Sequence, residues 1–255
     1  MDNSIYNLRK MLDKKEISTK ELAINYLDNI DKYDEKLGCY LDIDRDNVLK
    51  QAELAQVAIN SKDSKVLTGI PIGIKDNICT KNLKTTCGSK MLENFIPNYN
   101  AHVIDLMEKQ NFIMLGKLNM DEFAMGGTTQ TSYFKSTKNP YNLECVPGGS
   151  SGGSASAVSA NLCVASLGSD TGGSITQPAA FCGAVGIKPT YGLISRYGII
   201  PYADSLDQLG IITNNTYDTG LLLSVLSEYD SKDETMSKLS KIDFLEYIDK
   251  PINIK

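Results

Sequence analysis

Apolar side chains recur at helical spacing along the first part of the chain. The first run on one helical face is Ile5, Leu8, Met11 and Leu12. Ser18 and Glu21 stand three residues apart ahead of the next apolar run, a spacing typical of a capping box. A third amphipathic run covers residues 46–59. We therefore predict a helical N-terminal region over residues 1–60.

The hydrophobic pattern changes after this region. Isoleucines alternate with other residues over 70–75, a period of two that predicts a strand with Lys75 on the face opposite the isoleucines. Further short apolar runs predict strands over 112–115, 162–167 and 184–187, and helical spacing returns over 102–110 and 217–227. Helices and short apolar strands in alternation predict an α/β sandwich.

The pattern gives no reason to divide the chain. We find no internal repeat and no clear linker, so we predict a single domain over residues 1–255. A domain of this length has ample material for a hydrophobic core. Residues 231–255 are rich in charge and form a predicted tail that lacks the pattern of a folded ending.

The composition argues against several classes of function. The formal net charge is −5, so the chain is not expected to hold nucleic acid by bulk charge, and any RNA would be held by a partner. The six cysteines include no C-x-x-C pair and His102 is the only histidine, so no zinc site is expected. The chain has no stretch of 18 apolar residues and no signal-peptide pattern at its start, which predicts no membrane association and a cytoplasmic location.

Two segments rich in glycine and serine are the strongest candidates for chemistry. The first covers residues 148–154 and runs directly into small residues that suit a tightly packed helix start, which is unlike a flexible linker. The second covers residues 170–174 and follows a predicted strand; such glycine turns let the backbone approach a substrate closely. Neither segment contains the lysine of a phosphate-binding loop or a G-x-G-x-x-G fingerprint, so nucleotide binding is not expected.

A serine nucleophile in these segments would need a base. His102 lies in a predicted amphipathic helix, far from any G-x-S-x-G turn, and is better explained as a structural residue. Lysine is the known substitute for histidine, and Lys75 follows isoleucines and glycines that would bury it. Full burial lowers a lysine pKa by up to about 3–5 units, which leaves a neutral amine able to accept a proton. An ordinary surface lysine is the alternative that these residues alone leave open.

Three motifs in a fixed order carry a resemblance to a known family. They are GIPIGIKDN at 69–77, GGSSGGS at 148–154 and GSDTGGSI at 168–175. They resemble the amidase signature family, and the 24-residue separation of Ser150 and Ser174 matches the spacing in that family. The resemblance implies an α/β amidase signature fold, with a mixed β-sheet core covered by helices on both faces. It also implies a fold that is incomplete at the C-terminus, because family members are about twice as long.

The same resemblance implies a Lys75–Ser150–Ser174 catalytic triad. Neutral Lys75 would take a proton from Ser150, which relays it from Ser174, and Ser174 would attack an amide. Ser150 would follow a cis peptide bond, which is rare before a residue other than proline. The backbone N–H groups implied for the oxyanion hole are those of Thr171, Gly172, Gly173 and Ser174. The residues implied for substrate binding are Met125, Gly127, Thr128 and Thr129.

Shorter matches indicate one branch of the family. They are NMDEFAMG at 119–126, TSYF at 131–134, VP at 146–147, KPTYG at 188–192 and SLDQ at 205–208. These are similar to the A subunits of glutamyl-tRNA(Gln)/aspartyl-tRNA(Asn) amidotransferases, which implies a glutaminase subunit with no cofactor of its own. Its partners would be a B subunit, which uses ATP and Mg²⁺ and holds the charged tRNA, and a small C subunit. Two alternatives stay open: a stand-alone amidase of small amides and an inactive truncated remnant.

The sequence departs from the family pattern at several positions. Thr176 stands where family members carry an arginine, which would be a charge partner near the nucleophile. Asp204 stands in place of a serine and Ile211 in place of a proline. The half of the family fold that this chain lacks would supply further strands and the groups that recognise the α-carboxylate and α-amino group of the substrate.

Overall fold

The structure, a computed structural model, describes residues 3–238 and 242–248. Its helices are α1 (Ile5–Asp13), α2 (Thr19–Leu37), α3 (Arg45–Asn60), α4 (His102–Glu108), α5 (Gly152–Ser159), α6 (Thr176–Phe181) and α7 (Thr216–Leu226). Its strands are β1 (Tyr40–Asp42), β2 (Pro71–Lys75), β3 (Ile113–Leu118), β4 (Ala165–Asp170), β5 (Val185–Ile187) and β6 (Gln208–Thr213). Short 3₁₀ turns lie at Lys90–Leu92, Glu122–Ala124 and Phe244–Tyr247.

The predicted N-terminal helices are confirmed. The apolar face of α1 is buried, and Ser18 caps α2 through a complete capping box with Glu21. The buried face of α3 contains the predicted apolar positions. Helix α2 packs against β2 and β3, α3 packs against β3, and the Ile5 N–H of α1 donates to the Asp218 carboxylate, so the first sixty residues are part of the domain rather than an appendage.

The strands form one six-stranded sheet in the order β1-β3-β2-β4-β6-β5. Strands β3, β2 and β4 run parallel to one another, whereas β1, β6 and β5 pair antiparallel to their neighbours. Helix α5 packs against β2, β4 and β6, and α7 packs against β5 and β6. The predicted α/β fold with a mixed sheet core and packed helices is therefore confirmed.

The parallel strands determine where the candidate site can form. Because β2, β3 and β4 are parallel, their carboxyl ends meet at one edge of the sheet. Strand β2 ends on Lys75 and β4 ends on Asp170, while Asp121 follows shortly after the end of β3. The register places Ile74 beside Leu167, so the residues that follow in each strand, Lys75 and Ser169 among them, lie close together.

Two strands were not predicted, and one was predicted out of place. Strand β6 lies between β4 and β5 and all six of its residues are buried, so its sequence shows no alternation of apolar and polar positions. The three-residue strand β1 is too short to produce a pattern. Strand β4 covers Ala165–Asp170 and so lies three residues later than the predicted strand over 162–167. Its pairing with β6 extends through Gly168, Ser169 and Asp170, although glycine and aspartate are depleted in strands.

The described part of the predicted charged tail contacts the domain. Asp233 accepts a hydrogen bond from the Arg196 N–H at 2.8 Å, and the Ser237 N–H donates to the Gly192 carbonyl oxygen at 2.9 Å. The 3₁₀ turn Phe244–Tyr247 packs against α7. The expectation of an unfolded ending therefore does not hold for these residues, because the Asp233 carboxylate and the Ser237 backbone bind the domain. The remaining tail residues, 239–241 and 249–255, lie outside the described part.

No helix within residues 3–238 and 242–248 is long and apolar enough to cross a membrane.

Candidate active site

Lys75 is fully buried among hydroxyl groups at the end of β2. Its Nζ lies 2.8 Å from Ser150 Oγ, 2.8 Å from Ser151 Oγ and 2.9 Å from Ser169 Oγ. The Ser169 carbonyl oxygen lies at 3.3 Å. The structure therefore brings together two of the three residues that the sequence suggested for catalysis, and it surrounds the amine with neutral partners.

Burial changes the acid–base behaviour of this lysine. Desolvation lowers the pKa of Lys75 to about 7, against the opposing effects of the carboxylates of Asp121, Asp170 and Asp207. An amine with this pKa is neutral in a large fraction of molecules at neutral pH. Lys75 therefore meets the main requirement of a general base, which is to lack a proton under working conditions.

The loop that carries Ser150 depends on glycines that approach their neighbours very closely. The Gly149–Ser150 peptide bond is cis, as the family resemblance implied. A Cβ atom on Gly149 would lie 2.1 Å from Asp121 Oδ2, and one on Gly152 would lie 2.1 Å from Thr129 Oγ1. Only glycine fits at these two positions, so the glycines in this motif are explained by packing rather than by flexibility.

Asp121 is a fully buried carboxylate that organises the neighbouring loop. It accepts hydrogen bonds from the Thr128 N–H at 3.2 Å, the Thr129 N–H at 2.9 Å and the Thr131 hydroxyl at 2.9 Å. Its own N–H donates to the Ser150 carbonyl oxygen at 3.2 Å. Asp121 thus joins the 128–131 loop to the serine loop, a role the sequence did not reveal although the residue lies inside the 119–126 motif.

The four residues suggested for substrate binding do not behave alike. Thr129 is fully buried, and its hydroxyl donates to the Gly148 carbonyl oxygen and accepts from the Gly152 N–H. Its side chain therefore holds the serine loop in place, and we withdraw it from the substrate-binding set. Gly127 and Thr128 are half-buried and Met125 is exposed, so these three remain accessible beside the serine loop.

The loop that carries Ser174 is built around another buried carboxylate, Asp170. Asp170 accepts hydrogen bonds from the Gly173 N–H at 2.7 Å and the Ile175 N–H at 2.8 Å. Gly173 has a φ of +119°, which other residues rarely adopt. The Ser151 N–H donates to the Ser174 carbonyl oxygen at 3.0 Å, and this bond joins the two serine loops.

The oxyanion-hole residues suggested by the sequence need one revision. The Gly173 N–H is engaged by Asp170, so it is not available to a substrate oxygen in this conformation. Among the described residues, the N–H groups of Thr171, Gly172 and Ser174 have no acceptor. A side chain on Gly172 would project into open space, so this part of the loop faces outward.

The backbone of Ser174 is joined to the serine loop, and among the described residues its side chain makes no direct bond to Lys75 or Ser150. Within the part of the chain that the structure describes, its hydroxyl makes no hydrogen bond to Ser150, and the link between the two loops runs through backbone atoms. Ser174 is partly exposed whereas Ser150 is fully buried. A nucleophile must be reachable by substrate and a relay need not be, so this difference fits the two suggested roles.

Three polar residues around Lys75 were not identified from the sequence. They are Ser151, Ser169 and Asn77, whose Nδ2 lies 3.0 Å from Ser169 Oγ. Each lies inside one of the three motifs that carry the family resemblance, and this position is the only signal that the sequence offers. His102, by contrast, lies against Asp230 with a separation of 3.6 Å, which supports its interpretation as a structural residue.

The arrangement of these groups is suited to one kind of chemistry. A neutral amine beside one serine, a second serine on a glycine loop and outward N–H groups are what nucleophilic acyl transfer requires. Among the described residues, no three His, Cys, Asp or Glu side chains are grouped so that they could hold a metal ion. The site therefore contains the groups that serine-based acyl transfer at an amide would need.

The chain belongs to the amidase family, whose family model matches residues 21–253. It is 52% identical over 232 residues to the A subunit of a glutamyl-tRNA(Gln) amidotransferase from Desulfosudis oleivorans, covering 91% of this chain and 48% of the relative. It is 49% identical over 249 residues to the corresponding protein of Thermoanaerobacter pseudethanolicus, covering 98% of this chain and 51% of the relative. The chain therefore spans about half the length of the curated relatives it matches.

Solved structures agree with this assignment. The crystal structure of the A subunit of glutamyl-tRNA(Gln) amidotransferase from Thermotoga maritima has a TM-score of 0.78 and 42% identity, over 88% of this chain and 47% of that one. Native peptide amidase from Stenotrophomonas maltophilia has a TM-score of 0.90 and 32% identity, over 96% of this chain and 52% of that one. The described fold is thus shared with an amidotransferase subunit and with a peptide amidase.

Proposed function

We propose that this chain carries the catalytic centre of the glutaminase subunit of a tRNA-dependent amidotransferase. One observation carries the proposal: a fully buried lysine whose Nζ lies 2.8 Å from Ser150 Oγ, on a loop hydrogen-bonded to the loop of Ser174. The relatives with about 50% identity support glutamine as the amide.

The proposed first half-reaction moves one proton along the triad. Lys75 takes the hydroxyl proton of Ser150 while Ser150 takes that of Ser174, and Ser174 Oγ forms a bond to the side-chain amide carbon of glutamine. The resulting oxyanion accepts hydrogen bonds from the free N–H groups of the 171–174 loop, which stabilise charge that appears only in the transition state. The C–N bond then breaks, and Lys75 returns the proton through Ser150 to the leaving ammonia.

The second half-reaction restores the enzyme. Water attacks the acyl group on Ser174, its proton passes to Lys75 along the same path, and glutamate leaves as the serine is reprotonated. In the proposed complex, ammonia passes to a B subunit, where ATP and Mg²⁺ activate glutamate on its tRNA, and a C subunit holds the other two together. No cofactor is assigned to this chain, and the cytoplasm is its proposed location.

A stand-alone amidase is the second candidate. It is favoured by the TM-score of 0.90 to a peptide amidase, which exceeds the value of 0.78 for the amidotransferase protein. Sequence identity favours the amidotransferase protein instead, at 42% against 32% for the peptide amidase. We favour the amidotransferase because close identity constrains the substrate contacts more than backbone similarity does.

The test is a complete enzyme, in which this chain is joined to the remaining half of a curated relative and combined with B and C subunits. We expect tRNA-dependent conversion of Glu-tRNA(Gln) to Gln-tRNA(Gln), and loss of glutamine hydrolysis in Ser174→Ala by several powers of ten. Ser61→Ala, an exposed serine outside the site, serves as the matched control. Full activity in Ser174→Ala would exclude this serine as the nucleophile, and hydrolysis without any tRNA product would favour the stand-alone amidase.

The 255-residue chain alone is expected to be a poor catalyst. It spans about half the length of its relatives, and catalysis draws on binding energy from parts of the substrate remote from the reacting bond. We expect negligible glutamine hydrolysis by the purified chain and no micromolar binding of ATP or tRNA. Turnover on the order of 1 per second, typical of complete enzymes, would contradict this expectation.

A further inference from the structure

The hydrogen bonds around Lys75 can be counted, because each partner has a limited set of donors and acceptors. A neutral amine has two N–H donors and one lone pair, whereas an ammonium group has three donors and no lone pair. Three hydroxyl oxygens, those of Ser150, Ser151 and Ser169, lie within 2.9 Å of Nζ. The lone pair of the neutral amine can therefore face only one of the three.

Ser151 is unable to donate to the amine. Its hydroxyl hydrogen is directed to the Ser169 carbonyl oxygen at 3.1 Å, and a carbonyl oxygen can only accept. The 2.8 Å contact between Lys75 Nζ and Ser151 Oγ must then use an N–H of the lysine. One of the two hydrogens of the neutral amine is thereby assigned.

Ser169 is oriented by Asn77. The Asn77 Nδ2 atom lies 3.0 Å from Ser169 Oγ and 3.2 Å from the Ile200 carbonyl oxygen. Because that carbonyl accepts only, the amide nitrogen and not the amide oxygen faces Ser169, and it occupies one lone pair of the hydroxyl. On the other side of Ser169, Lys75 Nζ lies 2.9 Å from the hydroxyl oxygen and 3.3 Å from the Ser169 carbonyl oxygen, which can only accept, so Ser169 offers an acceptor to one hydrogen of the amine.

We propose that Ser151 and Ser169 are positioning residues that accept the two hydrogens of neutral Lys75 and so direct its lone pair at the hydroxyl of Ser150. The proposal deepens the proposed function and rests on it for the role of Ser150. When the Ser150 O–H bond breaks, its proton forms the third N–H bond of Lys75. The ammonium group then has three hydroxyl acceptors already in place, and no side chain has to move.

The direction of these bonds has a measurable consequence. A hydroxyl that accepts from Lys75 binds the ammonium form more strongly than the neutral form, so its removal lowers the pKa of the lysine. A hydroxyl that donates to the lone pair would stabilise the neutral form, so its removal would raise the pKa. The charges of Asp121, Asp170 and Asp207, which also act on Lys75, are unchanged by truncating a serine.

The experiment is an NMR titration of the 255-residue chain labelled at lysine Cε and Nζ, with the Lys75 signal identified by its loss in Lys75→Arg. The variants are Ser151→Ala and Ser169→Ala, with Ser169→Thr as the conservative variant that keeps the hydroxyl. Ser154→Ala and Ser166→Ala are the matched controls. Both are fully buried serines on α5 and β4 that donate to backbone carbonyls, of Leu167 and Ser154, and do not contact Lys75. Circular dichroism establishes that each variant is folded.

We expect the titration midpoint of Lys75 to fall by about 0.5–1 pH unit in each of Ser151→Ala and Ser169→Ala, because each variant loses one charge-assisted hydrogen bond to the ammonium form. Ser169→Thr and both controls keep the midpoint of the unsubstituted chain. A midpoint that is unchanged or raised in Ser169→Ala or Ser151→Ala overturns the assignment of that residue. An equal fall in the controls overturns it too, because the effect would then be a general loosening of the core.

Two further points keep the test decisive. If an alanine variant does not fold, the corresponding cysteine variant, which keeps the size but is a weaker acceptor, is expected to lower the midpoint in the same direction. The titration needs no substrate, so it stands apart from the proposed function. A midpoint shift without glutaminase activity in the complete enzyme would contradict the proposed function alone, and activity without any shift would contradict the positioning role alone.

Discussion

Two lysines are fully buried on neighbouring strands of the sheet, Lys75 on β2 and Lys117 on β3, and their surroundings differ in one decisive respect. Burial lowers the pKa of both amines. The hydrogen-bond partners of Lys75 are hydroxyls and a carbonyl, and none is a carboxylate. Lys117 instead has the Asp76 carboxylate at 3.7 Å, with the Ile78 carbonyl at 2.6 Å and the Thr85 hydroxyl at 2.9 Å.

The comparison shows how one sheet can give two buried lysines different electrostatic surroundings. A neutral environment favours the neutral amine, whereas a buried carboxylate partner favours the charged one. The loop around Lys117 supports the second situation, because Asp76 Oδ2 accepts from the Thr86 N–H at 2.9 Å and also from the Thr86 hydroxyl. Lys75 is thus suited to proton transfer, and Lys117 to holding the 76–86 loop beside it.

The largest expected effect is on catalysis by Lys75. In the complete enzyme, Lys75→Arg keeps the positive charge but cannot give it up at working pH. We expect glutamine hydrolysis to fall by about 10²–10⁴-fold or more, the usual contribution of a general base. Lys20→Arg, on an exposed lysine, should leave the rate unchanged. An active Lys75→Arg enzyme would mean that Lys75 serves as a charge and that another group is the base.

The next effect is on stability at Lys117. Lys117→Met leaves the Asp76 carboxylate buried without its charge partner, which costs about 3–5 kcal/mol in the free energy of unfolding. Adding Asp76→Asn removes the unpaired charge and should recover part of that loss. Denaturant unfolding of the two variants measures both values. If Lys117→Met were as stable as the unsubstituted chain, the two lysines would not differ in the way described.

The pH dependence of stability tests the lowered pKa of Lys75 directly. The pKa of Lys75 is about 7 in the folded chain, and its ordinary value in an unfolded chain is 10.5. Between these values the unfolded state binds the extra proton, so folding stability rises with pH, by at most about 1.4 kcal/mol per unit. We expect the free energy of unfolding of the unsubstituted chain, minus that of Lys75→Met, to increase from pH 7 to 9 by up to this amount per pH unit. A flat difference would show that Lys75 keeps its ordinary pKa.

The smallest effect concerns a single partner of Lys117. Thr85→Val removes the hydroxyl that accepts from Lys117 at 2.9 Å and keeps the shape of the buried side chain. We expect a loss of about 1–3 kcal/mol in the free energy of unfolding, because a buried charged donor loses one acceptor. The NMR titration of Lys75 should not move. A shifted Lys75 midpoint in Thr85→Val would show that the two lysine environments are coupled.

Much of the fold could be predicted from the sequence, because apolar residues recur at regular intervals along it. The N-terminal helices and strand β2 have apolar residues at clear intervals, and all of them are where the pattern predicts. Strand β6 was not predicted, because a strand buried on both faces has no alternation to detect. The extent of β4 was misjudged, because Gly168, Ser169 and Asp170 join the ladder through pairing with β6.

The candidate site could be predicted from the sequence only in part. Motif resemblance suggested Lys75, Ser150 and Ser174, but no sequence pattern shows which way a hydroxyl points or which N–H is already engaged. The Gly173 N–H bound by Asp170 and the buried hydroxyl of Thr129 are of this kind. Both follow from the tertiary arrangement of loops at the carboxyl ends of parallel strands, which local sequence does not encode.

The most direct test of the central claim, that Lys75 activates Ser174 through Ser150, is labelling of the complete enzyme by a serine-directed fluorophosphonate. Tandem mass spectrometry locates the adduct, and the labelling rate is followed across about pH 5–9, a range that brackets the titration of a lysine with a lowered pKa. We expect one adduct, on Ser174, at a rate that rises with pH through about 7, the pKa of Lys75, and that is lost in Lys75→Met and Ser174→Ala. Labelling of Lys75→Met at the unsubstituted rate, or an adduct on Ser150 instead, would contradict the account.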